Sequence, residues 1–102
     1  MTAADLPADV VLLDVREPDE WTAGHAPDAM HIPMGQIPDR LAELPADADI
    51  VLVCHGGGRS SRATAWLNRQ GIAARNLTGG MVAYAAAGRP LVSENGAPPT
   101  VD

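Results

Sequence analysis

The sequence predicts one α/β domain with a mainly parallel central sheet, and three observations carry that reading. At 102 residues the chain can bury one modest core and is too short for two. Two continuous apolar runs, "VVLLDV" (10–15) and "DIVLVC" (49–54), have strand length and no polar alternation, as expected of strands buried on both faces. Around them lie short segments of helical period, so strands and helices alternate through short connections.

Taken in order, "VVLLDV" is the first strong strand. "EPDEW" (17–21) follows, with Pro18 at a first helical position and acids in the first turn, which predicts a short helix. "AMHIP" (29–33) reads as a short strand stopped by Pro33. In "GQIPDRLAELP" (35–45), Ile37, Leu41 and Leu44 share one helical face, and Pro45 ends the helix. "DIVLVC" is the second strong strand. "RSSRATAWLNRQG" (59–71) places Ala63, Trp66, Leu67 and Gln70 on one side of a helix that stops at Gly71. "AARNL" (73–77) is a weaker strand, and "GGMVAYAAAG" (79–88) a last short helix entered through Gly79 and Gly80. The domain is read as residues 1–93, and the polar, Gly- and Pro-rich 94–102 as a flexible C-terminal tail.

Composition narrows the function. The net charge is −6, and all seven basic residues are arginines. Such a balance argues against nucleic acid, whose phosphates require a basic footprint. It also means that any positive potential must come from a few arginines or from backbone amides. Mean hydropathy is -0.03, and the apolar runs fall far short of the roughly 20 residues that span a bilayer. "MTAADLPAD" lacks the basic start of a secretory signal, so a cytoplasmic location is expected. One cysteine, Cys54, forbids an internal disulfide framework. It is therefore either a small buried hydrophobe or a reactive group.

Its neighbours favour reactivity. In "VLVCHGGGRSS" (51–61) the thiol closes a strand and opens a glycine loop that leads into a helix. In parallel sheets ligands bind at the carboxyl ends of strands, where Asp14 and Cys54 both lie. The attacking species is the thiolate, which needs a lowered pKa. Gly56, Gly57 and Gly58 let several N–H groups turn toward one point, and the start of the helix adds its positive end. Arg59 contributes a fixed charge and a planar fork of donors. The loop lacks the lysine of a nucleotide-binding P-loop.

Three segments, "LLDVREPDEWTAGHAPDAMHIP" (12–33), "VLVCHGGGRSSRATAWL" (51–67) and "NLTGGMVAY" (76–84), resemble the single-domain rhodaneses in order and spacing. The resemblance implies an α/β fold whose central parallel sheet of about five strands is flanked by helices. It also implies a sulfurtransferase without cofactor or metal. Cys54 would take the outer sulfur of a donor such as thiosulfate and pass it from a persulfide to cyanide or a thiol, including a thiol on a protein acceptor. Carried onto this sequence, Cys54 is the nucleophile, and His55, Gly56, Gly57, Gly58 and Arg59 form the loop that cradles the persulfide. Asp14 and Arg16 are expected to pair and brace that loop.

The chain departs from the family pattern at Asp28, where the family usually has Gly, and at the N-terminus, where the family's first strand is expected to be short or absent. His55 is not a fixed family feature, and two readings stand for it: tuning donor choice, or pointing to solvent. Trp21 either walls the pocket or belongs to the core. His25 reads as a structural turn histidine. The set His25, His31, Cys54 and His55 matches no common zinc spacing.

Two rivals to a sulfurtransferase follow from the same loop. Phosphatases and arsenate reductases also set a Cys and an Arg at a helix start, but with five intervening residues; here four intervene, and Val53 replaces the usual preceding His. A non-catalytic binding module is the other rival, and such modules commonly lack the cysteine that this chain retains.

Overall fold

The computed structural model describes residues 1–101. Its four strands are β1 (Val11–Asp14), β2 (Met30–His31), β3 (Ile50–Val53) and β4 (Ala74–Asn76). They form one sheet in the order β2-β1-β3-β4, and every neighbouring pair is parallel. The helices are α1 (Pro18–Ala23), α2 (Gly58–Arg69) and α3 (Gly80–Ala86). The α/β class read from the sequence is the one observed.

The sheet has four strands among the described residues, against the five or so expected. Residues Ala3–Asp5 wind into a 3-10 turn instead of extending. Only Met1 reaches the outer edge beside β4, where its carbonyl accepts the Thr78 N–H at 2.7 Å. The second departure is Met34–Glu43, expected as an α-helix and found as 3-10 turns with a break at Arg40. Pro38 explains it, because a proline within a helix removes an N–H and crowds the preceding turn. Ile37 nevertheless reaches the core, as its helical spacing suggested.

β3 is buried at all four residues, which is why its sequence shows no polar alternation. Period two divides its side chains between two layers. Ile50 and Leu52 join Leu13, Ile32, Ala63 and Leu67 on the α2 side. Val51 and Val53 join Leu77, Met81 and Tyr84 on the α3 side. Burying one side chain such as Leu52 contributes roughly 1.5–3 kcal/mol. Cys54 continues the Ile50–Leu52 phase, so the strand itself directs its thiol toward α2.

Residues 93–101 carry no helix or strand. They are tied to α1 and its exit: the Glu94 N–H donates to Thr22, the Thr100 N–H to Ala23, each at 2.9 Å. No helix among the described residues is long and apolar enough to cross a membrane.

Candidate functional site

β3 delivers Cys54 to the carboxyl edge of the sheet, and the loop Cys54–Arg59 turns directly into α2. Gly57 makes that turn with φ +107°, a left-handed conformation that side-chain-bearing residues rarely adopt. Its N–H consequently faces back and donates to Cys54 Sγ at 3.1 Å. The Ser60 hydroxyl lies 3.3 Å from the same sulfur. Burial pushes the Cys54 thiol up, but the Ser60 hydroxyl and the amides of Ser60, Gly57 and Arg59 outweigh it and hold the thiol below its ordinary value. These donors belong to the loop and first turn of α2, so helix-end polarity acts in the same direction. Cys54 is 1% exposed, yet space is open beside Gly56 and Gly58, where an added Cβ would meet nothing within 4 Å.

The loop is clamped from behind by α3. The Met81 N–H donates to the Cys54 carbonyl at 2.7 Å, and the Val82 N–H to the His55 carbonyl at 3.1 Å. That approach requires Gly80: a Cβ there would sit 2.4 Å from the Cys54 carbonyl oxygen and 2.6 Å from that of His55. Asn76, at the end of β4, closes the remaining side. Its amide donates to the Gly57 carbonyl at 3.3 Å, while its side-chain oxygen lies beside the Ser60 hydroxyl, whose one proton is shared among that oxygen, the Gly57 carbonyl and Cys54 Sγ.

Arg59, expected to offer its charge and fork of donors to the persulfide cradle, turns its guanidinium to Glu20. Its guanidinium donates two parallel bonds to Glu20, at 2.8 and 2.9 Å. This pairing lowers the Glu20 carboxyl to about 2, first through the Arg59 hydrogen bonds, and raises the guanidinium in turn. Glu20 also accepts the Glu17 N–H at 3.1 Å within a reciprocal cap at the start of α1. One carboxylate thus joins the α1 terminus to the loop.

Asp14 and Arg16 do form an ion pair. Arg16 Nη2 meets Asp14 Oδ2 at 2.8 Å with both side chains buried. The same nitrogen donates to the Gly24 carbonyl at 2.6 Å, so the pair fixes the exit of α1, while Asp14 itself sits beside Val53 in the sheet. His55 is half-buried; its Nδ1 is buried and has no hydrogen-bond partner among the described residues. Trp21 stacks on His25, with ring centroids 3.5 Å apart, and on His31 at 4.6 Å. His31 Nε2 lies 2.8 Å from the Arg16 carbonyl, and His25 Nε2 2.8 Å from Glu94. These histidines hold the α1 region, and no group of three or more His, Cys, Asp or Glu converges among the described residues.

The sequence by itself assigned no role to Ser60, Asn76 or Glu20. Ser60 was findable, since it follows Arg59 in the first helical turn beneath the thiol. The other two offered no local signal.

Chemically, the arrangement is a buried sulfur ringed by N–H and O–H donors, with an opening on the glycine side. It suits an anionic sulfur better than a neutral one.

Comparison with known proteins places the whole domain in one family. The profile of the rhodanese-like domain matches residues 3–87. A sulfurtransferase of Allochromatium vinosum is 45% identical over 89 residues, covering 86% of this chain and 83% of that protein. The thiosulfate sulfurtransferase GlpE of Pseudomonas syringae is 39% identical over 61 residues, covering 60% of this chain and 58% of that protein. A rhodanese-related protein from Thermoplasma volcanium superposes with a TM-score of 0.85 at 29% identity, covering 90% and 95% of the two chains.

Proposed function

Since this chain belongs to the rhodanese-like family, we propose that it is a sulfurtransferase that carries a sulfane sulfur as a persulfide on Cys54. The single observation that carries the reading is the donor ring on Cys54 Sγ, made by the Gly57 N–H and the Ser60 hydroxyl. In the first half-reaction the thiolate attacks the outer sulfur of thiosulfate. The bond between that sulfur and the sulfonate breaks, sulfite leaves with the electron pair, and Cys54 holds S–S⁻. In the second, cyanide or a thiolate attacks the outer sulfur, and the electron pair of the S–S bond returns to Sγ. The ring of donors stabilises the anion at both stages and so favours departure from Cys54 as well as attack by it. His55, Gly56, Gly57 and Gly58 surround the terminal sulfur. Arg59 braces the ring through Glu20.

Thiosulfate is the donor proposed, after the activity named for the Pseudomonas syringae relative. The Glu20 pairing also weighs against phosphate or arsenate as substrate. Attack on phosphorus or arsenic needs an arginine fork on the oxygens of the reacting centre, whereas thiosulfate is attacked at its outer sulfur; here both arms of the fork are taken by a carboxylate.

Intact-mass analysis after incubation with thiosulfate tests the reading. The expected result is one added sulfur that a thiol reductant removes and that Cys54→Ser cannot acquire. Hydrolysis of aryl phosphates by a protein that acquires no sulfur would overturn it.

A further inference from the structure

Seven arginines face an acidic molecule of net charge −6, and five of them are engaged. Arg16, Arg40, Arg59 and Arg75 pair with carboxylates. Arg89 donates to the carbonyls of Ala3 and Leu6. Arg62 and Arg69 are exposed, and among the described residues neither makes an ion pair or a side-chain hydrogen bond. These two stand beside the same apolar groove, a cavity of about 300 Å³ between α2 and the 3-10 segment Met34–Glu43. Met34, Ile37, Pro38, Ala63 and Trp66 form its walls and floor, and no carboxylate lines it.

We propose that this groove docks an apolar segment bearing two carboxylates, belonging to the protein that accepts sulfur from Cys54. The inference rests on the sulfurtransferase reading for the acceptor's role and on the groove alone for its chemistry. Three features point to that occupant. The charge is local and opposite in sign to the rest of the surface, so an acidic partner repelled elsewhere is attracted here. The volume takes one or two side chains and falls at the lower limit for a small-molecule pocket. The spacing fits a peptide: Arg62 and Arg69 are two turns apart on α2, about 10 Å along its axis, and carboxylates four residues apart share one face of an extended chain at ~13 Å, a difference that long arginine side chains span. An apolar residue midway between them, on that same face, would lie on Trp66. α2 runs from this groove back to the loop at Gly58, so a docked segment has the persulfide at one end of its track.

The transfer itself is the ordinary second half-reaction. The acceptor thiolate attacks the outer sulfur, the S–S bond to Cys54 breaks, and the electron pair remains on Sγ. Only the delivery of the thiol differs.

The test uses two synthetic heptapeptides with an N-terminal cysteine and an apolar centre. One carries two aspartates four positions apart, and the other two asparagines at the same places. Each is offered to the full chain preloaded from thiosulfate, with persulfide on Cys54 confirmed by mass in the same sample. The expected result is at least tenfold higher kcat/KM for the aspartate peptide, and loss of that preference in Arg62→Glu/Arg69→Glu with cyanide turnover unchanged. Amide-shift mapping should place the peptide at Ala63 and Trp66. Equal rates for the two peptides, or a preference that survives the double reversal, would overturn the proposal. So would self-association of the wild type that the reversal abolishes, which would make a second copy the occupant. Absence of persulfide in the preloading step would instead defeat the sulfurtransferase reading, while aspartate-dependent binding could still be read from the amide shifts.

Discussion

Glu20 and Arg59, 39 positions apart in sequence, are locked by two parallel hydrogen bonds of 2.8 and 2.9 Å. The pair is partly buried, with side-chain exposures of 22% for Glu20 and 32% for Arg59. Because an amide can still cap α1, Glu20→Gln removes the charge while leaving the cap in place. We expect it to lower stability at pH 7 by about 1 kcal/mol, the upper range for a partly screened pair. The pH dependence has a definite sign. The folded carboxyl lies at about 2, below its ordinary 4.5, so its contribution is full above about 4.5 and fades as pH falls toward 2. Denaturant unfolding of wild type and variant across that window should show the two curves converging. Parallel curves would exclude the ion pair as the source.

Cys54→Ser replaces a buried sulfur by a hydroxyl within the same donor ring. The fold should persist, with a change in stability of no more than about 1 kcal/mol. Sulfur transfer should vanish, because a hydroxyl is poorly nucleophilic here and cannot hold a persulfide. Thiosulfate:cyanide turnover and a thermal melt on the same preparation check both halves. Retention of most activity would remove Cys54 from the chemistry.

Ser60→Ala deletes the hydroxyl 3.3 Å from Sγ and leaves the amide donors in place. The thiol should titrate at higher pH, since a hydrogen-bond donor to its charged form is lost. Alkylation rate against pH reports the midpoint. Transfer below that midpoint should fall about tenfold in step with the thiolate fraction, and Ser60→Thr should restore it. An unmoved midpoint would mean that the amides alone set the acidity.

Gly80→Ala would drive a Cβ to 2.4 Å from the Cys54 carbonyl at a φ of +58°. Strain and overlap together should cost more than about 2 kcal/mol. For a domain of this size that corresponds to a melting temperature lower by ~10 °C or more. A smaller drop would show that α3 can withdraw from the loop without disturbing the fold.

Much of this architecture is legible in the sequence because its causes are local. The unbroken apolar run of β3 reports burial on both faces, and the phase of Ile50 and Leu52 already aims Cys54 at α2. The loop is equally legible, since thiol, glycines and helix start are contiguous. What supports the loop is not. Asn76 comes from the end of a different strand, and Glu20 reads locally as one more acid in the first turn of α1. The engagement of Arg59 by Glu20 is hidden because the two are distant in sequence. The 3-10 segment hid behind good helical spacing, which Pro38 overrides.

The parallel sheet has a kinetic consequence. No strand here is paired with its neighbour through a tight hairpin: Val11 sits beside Ile50, and Ile50 beside Ala74. Such distant pairings must overcome loop-closure entropy before they gain anything in return, which makes them late events on the way to the native state. The donors that acidify the thiol are local to the loop and the first turn of α2, but the groups that hold that loop in shape arrive with those same closures: Asn76 comes with β4, and the α3 amides follow it. In a nascent or partly unfolded chain the loop is unsupported and the cysteine keeps its ordinary acidity. Its thiolate fraction at neutral pH rises only as the fold completes, so the pH dependence of alkylation serves as a clock for the last step of folding.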